Sequence, residues 1–188
     1  MYTVSHSLTE AGLYQQAIEY DETTVRLTSS ILGPHHPNTL SARNNLAVSY
    51  RNAGRVQDAL DLGKRVLAER ERTLGPHHPD TITARHNLAG FYGDAGRVQD
   101  ALDLREQVLA ERERIQGTDH PHTLTARHNL ATSYRDAGRL QDALDLSEQV
   151  LAERERILGP DHPDTITARH NLADARRAVA EALHDRDT

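Results

Sequence analysis

Residues 75–116 read GPHHPDTITARHNLAGFYGDAGRVQDALDLREQVLAERERIQ, and residues 117–158 read GTDHPHTLTARHNLATSYRDAGRLQDALDLSEQVLAERERIL; the two agree at 32 of 42 positions. The pattern extends outward from them. Residues 33–74 carry it too, so Gly33, Gly75, Gly117 and Gly159 stand 42 residues apart. Residues 11–33 align with 53–75, and GPDHPDTITARHNLADARRAVAEALHDRDT closes the chain. A fixed period of this length marks a repeat architecture, in which each unit is one supersecondary element. The reading is a single array over 1–188, with a partial first repeat at 1–32. Full repeats follow at 33–74, 75–116 and 117–158, then a C-terminal helix and cap at 159–188.

Each unit reads as two helices. The first opens at His-Pro-x-Thr, where proline suits a helix entrance because its missing N–H would have had no partner. Asn38, Asp80 and Asp164 follow at once and are candidates for capping or for the positive helix end. Leu46, Ala47 and Tyr50 make one buried stripe. Ala53-Gly54 ends this helix, with glycine supplying a left-handed turn. The second helix starts near Val56, buries Ala59, Leu60, Val66 and Leu67, and stops at Leu74-Gly75-Pro76. Its tail, LAERER, reads as charged and solvated. In the last unit the glycine turn is absent, so one helix is expected from Thr165 to about His184.

Composition sets bounds on the chain's class. Leu, Ile, Val and Phe number 39 of 188 residues, about a fifth of the chain, which borders on a disordered composition. Net charge is only -6, and the apolar spacing recurs in phase, so stacked repeats are favoured over disorder. No run of about 18 apolar residues exists to span a membrane, and MYTVSHSLTE is not a secretory signal. There is no cysteine for thiolate catalysis, disulfides or Cys-based zinc. A pI of about 6.0 argues against a general nucleic-acid binder. The expected compartment is the cytoplasm. The 21 Arg against one Lys, Lys64, with 23 Ala, read as a GC-rich coding sequence.

The core NLAxxYxxAGRxxDAL resembles the tetratricopeptide repeat. It is carried by Leu46, Ala47, Tyr50, Gly54, Ala59 and Leu60 and by their equivalents 42 and 84 residues on. The longer period and the LGPxHPxT linker are similar to the 42-residue variety of kinesin light chains. They are still more similar to the repeats that end bacterial signalling ATPases of the NB-ARC type. The resemblance implies an all-α, right-handed superhelical solenoid of helical hairpins, about nine helices in all, that serves as a protein-interaction scaffold. No GxxxxGK[ST] phosphate loop occurs in the chain. Met1 aligns with Arg43, so the front reads as cut and residues 1–12 are expected to be weakly protected or paired with another copy.

Twelve histidines require an account. His36, His78, His120 and His162 hold one repeat position before the helix-opening proline, which reads as linker packing or capping. A metal role is the weaker alternative, because no HxxxH or HExxH spacing is present. A second ladder runs through His86, His128 and His170, with Asn44 in the first full unit; beside it stand Asn45, Asn87, Asn129 and Asn171. These positions lie roughly 100° to 200° from the buried stripe. The resemblance implies that this face lines a concave groove, with Arg51 and Arg135 on it. Asparagine both donates and accepts, so one per repeat would hold a ligand backbone. The alternative is a polar surface in which Asn bonds neighbouring helices.

No catalytic set, metal site or cofactor is read from the chain. The expected partner is a protein or peptide, an acidic one if Arg51 and Arg135 are used, and neither nucleic acid nor membrane. Self-association through the short leading helix is the alternative function, since Val4, Leu8, Leu13 and Ile18 are left poorly covered. The turn glycines yield a direct test. Gly96→Val should destabilise the chain by about 1 kcal/mol or more, because a β-branched residue resists positive φ. An unchanged melting temperature would show that the boundary between the two helices is misplaced.

Overall fold

The computed structural model describes residues 4–187, with side chains through His184. Residues 1–3 of the opening segment, and Thr188, lie outside the described residues. Nine helices occupy the described residues: α1 Val4–Glu10, α2 Tyr14–Leu32, α3 Pro37–Asn52, α4 Val56–Leu74, α5 Pro79–Asp94, α6 Val98–Gln116, α7 Pro121–Asp136, α8 Leu140–Leu158 and α9 Pro163–Asp187. The helix starts at Pro37, Pro79, Pro121 and Pro163 fall where the His-Pro-x-Thr signal places them. The single α9 in place of a hairpin follows the loss of the glycine turn. The helices form two compact units, Met1–Arg97 and Val98–Thr188. In the first, α1 packs on α2, α2 on α3, α3 on α4 and α4 on α5. In the second, α6 packs on α7, α7 on α8 and α8 on α9.

Every described helix entrance at His-Pro uses the same cap. His36 Nδ1 accepts from the Asn38 N–H at 3.1 Å, His78 from Asp80 at 3.1 Å, His120 from His122 at 3.2 Å and His162 from Asp164 at 3.1 Å. The cap is thus the histidine before the proline, and Asn38, Asp80 and Asp164 supply the N–H rather than the accepting side chain. The threonine completes the entrance: Thr39 Oγ1 donates to the Gly33 carbonyl at 2.8 Å and Thr81 Oγ1 to Gly75 at 2.9 Å.

Within each hairpin the turn is set by six residues. Gly96 has φ 70°, the Gly96 N–H bonds the Gly93 carbonyl at 3.0 Å, and the Arg97 N–H bonds the Tyr92 carbonyl at 2.9 Å. This is the Schellman arrangement, in which the residue after the glycine also touches the residue five before it. Here that contact is a guanidinium over a ring: Arg97 lies 4.5 Å from the Tyr92 centroid, Arg55 4.3 Å from Tyr50 and Arg139 4.2 Å from Tyr134. Asp58 and Asp142 then pair with Arg55 and Arg139 at 2.7 Å.

The LAERER tail departs from its solvated reading. Arg70 is 3% exposed and Arg154 is 6% exposed. Arg70 donates to the Asp80 carbonyl at 2.7 Å and to Ser41 Oγ at 3.0 Å; Arg154 donates to the Asp164 carbonyl at 2.8 Å. Each guanidinium therefore ties the end of one second helix to the start of the next first helix. Burial pushes both below the ordinary arginine value, opposed by Asp80 and Asp164 respectively. The glutamates beside them work as well. Arg85 meets Glu71 at 2.8 Å, Arg127 is held by Glu113 at 2.6 Å and by Glu153, and Arg169 meets Glu155 at 2.8 Å.

Arg70→Ala should therefore cost about 2–4 kcal/mol in chemical denaturation, combining a cavity with two lost hydrogen bonds. Arg70→Met, which keeps volume and removes a desolvated charge, should cost clearly less. A change within about 0.5 kcal/mol for Arg70→Ala would mean a solvated surface position.

Candidate functional site

The polar face of the first helices is built by position. On α3, α5, α7 and α9 the buried stripe (Leu46, Ala47, Leu88, Ala89, Leu130, Ala131, Leu172) turns inward, and the residues before it emerge on an adjacent face. Asn45, Asn87, Asn129 and Asn171 all lie half-buried there, as do His86 and His128, while His170 is exposed.

Within each unit the asparagine reaches to the preceding first helix. In the first unit, Asn87 Nδ2 donates to Asn44 Oδ1 at 3.1 Å. In the second, Asn171 Nδ2 lies 3.3 and 3.4 Å from the two ring nitrogens of His128. In each unit the two ladders thus cross-link once, Asn87 resting on Asn44 and Asn171 on His128. These rungs fix the amide planes. An asparagine has two N–H donors and a carbonyl with two lone pairs. A single bond from Nδ2 leaves the carbonyl and the second N–H available.

The arginines of this face differ from each other. Arg51 is held by Asp94, through Nε and, at 3.2 Å, through Nη2. Arg135 has only Asp136 Oδ1, at 3.8 Å, and stands half-exposed. An acidic ligand would have to displace Asp94 to reach Arg51, whereas Arg135 offers its charge directly. Reading residue types along the chain could not separate the two, because Asp94 lies 43 residues from Arg51.

His128 sits in a desolvated setting. Burial pushes its pKa below 6.5, Arg154, Arg105 and Arg135 push it the same way, and Asp164 opposes them. The surroundings are basic and the ring is favoured neutral. His128, Thr132, Arg135 and Asn171 line a small notch together with Ser147 and Ala175. The donors there outnumber the acceptors, which suits a ligand rich in carbonyl or carboxylate oxygen.

No group of three or more His, Asp or Glu placed to hold a metal occurs among the described residues. No described helix is long and apolar enough to cross a membrane. His36, His78, His120 and His162 are occupied as caps, and His35 pairs with Glu69 at 2.6 Å.

Profiles of the tetratricopeptide repeat match residues 1–38, 39–80, 80–153 and 128–183. Among solved structures, the chain is similar to a Podosopora anserina protein of the kinesin light chain type with nearly identical TPR-like repeats. That match has 33% identity and a TM-score of 0.83, over 98% of this chain and 87% of the other. BtubC (BKLC) from P. vanneervenii matches at 20% identity and TM-score 0.81, over 97% of this chain and 75% of that one. MamA from Desulfovibrio magneticus RS-1 shares the fold at 14% identity and TM-score 0.54, over 95% and 92%. No curated protein sequence matches the chain. The repeated helical hairpin, its 42-residue period and these matches agree, and the chain belongs to the tetratricopeptide repeat family.

Proposed function

We propose that this chain is a protein-interaction scaffold that takes an extended peptide, or a loop of a partner domain, on the polar face of its first helices. The tetratricopeptide repeat is generally a protein–protein interaction module and typically non-enzymatic. The observation that carries the finer reading is the pair of pre-oriented amides at Asn87 and Asn171. Each is pinned through one N–H and keeps a carbonyl and a second N–H to meet a peptide backbone. Asn45 and Asn129 occupy the same repeat position. Helices pack about 8–10 Å apart and an extended chain advances about 3.3 Å per residue, so one amide would meet about every third residue. His86, His128 and His170 add side-chain contacts, and Arg135, with Arg51 in reserve, favours acidic ligands. The context we favour is the sensor or scaffold part of a bacterial signalling protein in the cytoplasm.

A specific observation also favours self-association. Of the residues read as poorly covered, Val4 and Leu13 are exposed and Leu8 is half-buried, whereas Ile18 is buried in the core; further along α2, Leu27 is 55% and Ile31 75% exposed, and residues 69, 111 and 153, equivalent to Leu27, are all glutamate. Leu27→Glu should abolish any dimer seen by light scattering and leave a monomer unchanged.

Affinity capture with the full chain as bait, followed by mass spectrometry, identifies the partner. Asn87→Ala with Asn129→Ala should then remove about 1–3 kcal/mol of its binding and leave the chain folded. Unfolding of that double variant would make the ladder a link between helices and nothing more. Undiminished binding by a folded double variant would move the partner to another face.

The pH dependence has a defined sign. The folded chain holds His128 below 6.5, so the unfolded chain takes up the proton first as pH falls. His128 therefore contributes stability above 6.5 that is lost as pH falls from there through its folded value. Acidic-ligand binding gains from the added charge only over that same acidic range. His128→Asn, the residue found at position 44, should flatten both profiles below 6.5.

A further inference from the structure

The second helix of one repeat meets the first helix of the next through two residues 28 positions apart, and that pair differs at every junction described. In the first unit, Asp21 accepts from Ser49 Oγ at 2.6 Å, with both residues buried. At the next junction Gly63 faces Phe91, and a Cβ at 63 would stand 3.0 Å from two carbons of the ring. In the second unit, Arg105 donates to Ser133 Oγ at 2.6 Å and to the Asn129 carbonyl at 2.5 Å. At its other junction Ser147 and Ala175 are both small and share a notch, and the Ser147 hydroxyl turns back to the Ala143 carbonyl at 2.7 Å. The surrounding core hardly varies: Ala59, Ala101 and Ala143 are one residue in three repeats, as are Val66, Val108 and Val150. Repeats 75–116 and 117–158 differ at only ten of 42 positions, and two of these are Phe91 against Ser133 and Arg105 against Ser147.

We propose that these pairs are a register key, by which a first helix docks stably only behind the second helix of the repeat that precedes it in the array. The discrimination follows from shape and from hydrogen bonds. If α5 of a second copy took the place of α7 behind α6, the Phe91 ring would meet Arg105. The guanidinium would lose its hydroxyl acceptor and be crowded by an apolar ring. If α5 docked behind α8, Ser147 would place a Cβ where glycine is needed. If α7 docked behind α4, Ser133 would leave the Gly63 space empty and its own hydroxyl unpaired. Repeats this alike would otherwise be interchangeable, and mis-registered docking of one repeat in another's place is a known failure of repeat proteins. Asp21/Ser49 and Arg105/Ser133 would tolerate each other's partners, so Gly63/Phe91 is the discriminating member.

The test rebuilds one pair in the other's place, in the full chain. Gly63→Arg alone should lower the melting temperature by more than about 5 °C, given about 2–4 °C per kcal/mol for a chain this size. Phe91→Ser alone should lower it too. Gly63→Arg with Phe91→Ser recreates the Arg105/Ser133 pair and should recover at least half of the Gly63→Arg loss, a coupling that independent sites do not show. A double variant no more stable than Gly63→Arg would overturn the proposal. Exchange is read by fluorescence. The chain has no cysteine, so Glu181→Cys, at an exposed position, takes a donor dye in one pool and an acceptor dye in another. Wild type should show equal energy transfer whether the pools are refolded together or mixed native. The double variant should show at least twofold more after refolding together. Equal transfer for the double variant in both protocols, or exchange by wild type as large as that of the double variant, would also overturn it.

Discussion

A hairpin of two amphipathic helices has more apolar surface than it can bury within itself, and this constraint organises the molecule. Ala59, Leu60 and Val66 of α4 are closed off only because α3 lies on one side and α5 on the other. The same holds for Ala101, Leu102 and Val108 of α6 with α7. A chain with about a fifth of its residues large and apolar can fold in this way, because each core layer is thin and is shared between neighbours.

Shared layers bring polar groups into the junctions, and guanidinium bridges them, although Nε of Arg70 and of Arg154 finds no hydrogen-bond partner there. Arg70 and Arg154 are buried at the seam and bond the carbonyls that open the next first helix. Those carbonyls lie in the first helical turn and remain within reach of a neighbour. Arg85, Arg127 and Arg169 perform the matching task from the other side, each on a glutamate of the preceding second helix. In the first repeat the carboxylate's place is taken by Ser29 and the buried arginine's by Thr28, so that layer is held by different means, among them Asp21 with Ser49.

The polar face follows from the same geometry. Once the leucine and alanine stripe is turned inward, the residues immediately before it must emerge beside it. There they meet the equivalent residues of the next first helix. Asn87 on Asn44 and Asn171 on His128 are side chains that touch because the repeats are in phase. The same proximity buries His128 and surrounds it with Arg154, Arg105 and Arg135, which together favour its neutral form, and the arginines make the neighbouring notch basic.

The sequence by itself determined whatever depends on residues within one turn or one period. The 42-residue spacing, the helix starts at Pro37, Pro79, Pro121 and Pro163, the glycine turns and the unbroken α9 are all legible from it. They are legible because their hydrogen bonds close locally, as in Arg97 N–H to the Tyr92 carbonyl or His78 Nδ1 to the Asp80 N–H. The capping histidines were visible as a repeated position, though which atom did the capping was not. What only the tertiary structure decided joins residues 28 or 43 apart, or 29 in the case of Arg70 and Ser41. LAERER is the same string in three repeats, and no feature of it distinguishes a solvated arginine from one at the seam. That difference depends on whether a neighbouring helix presents carbonyls to five N–H donors. For the same reason Arg51 and Arg135 looked alike along the chain, and only the packing of α3 against α5 gave Arg51 its Asp94.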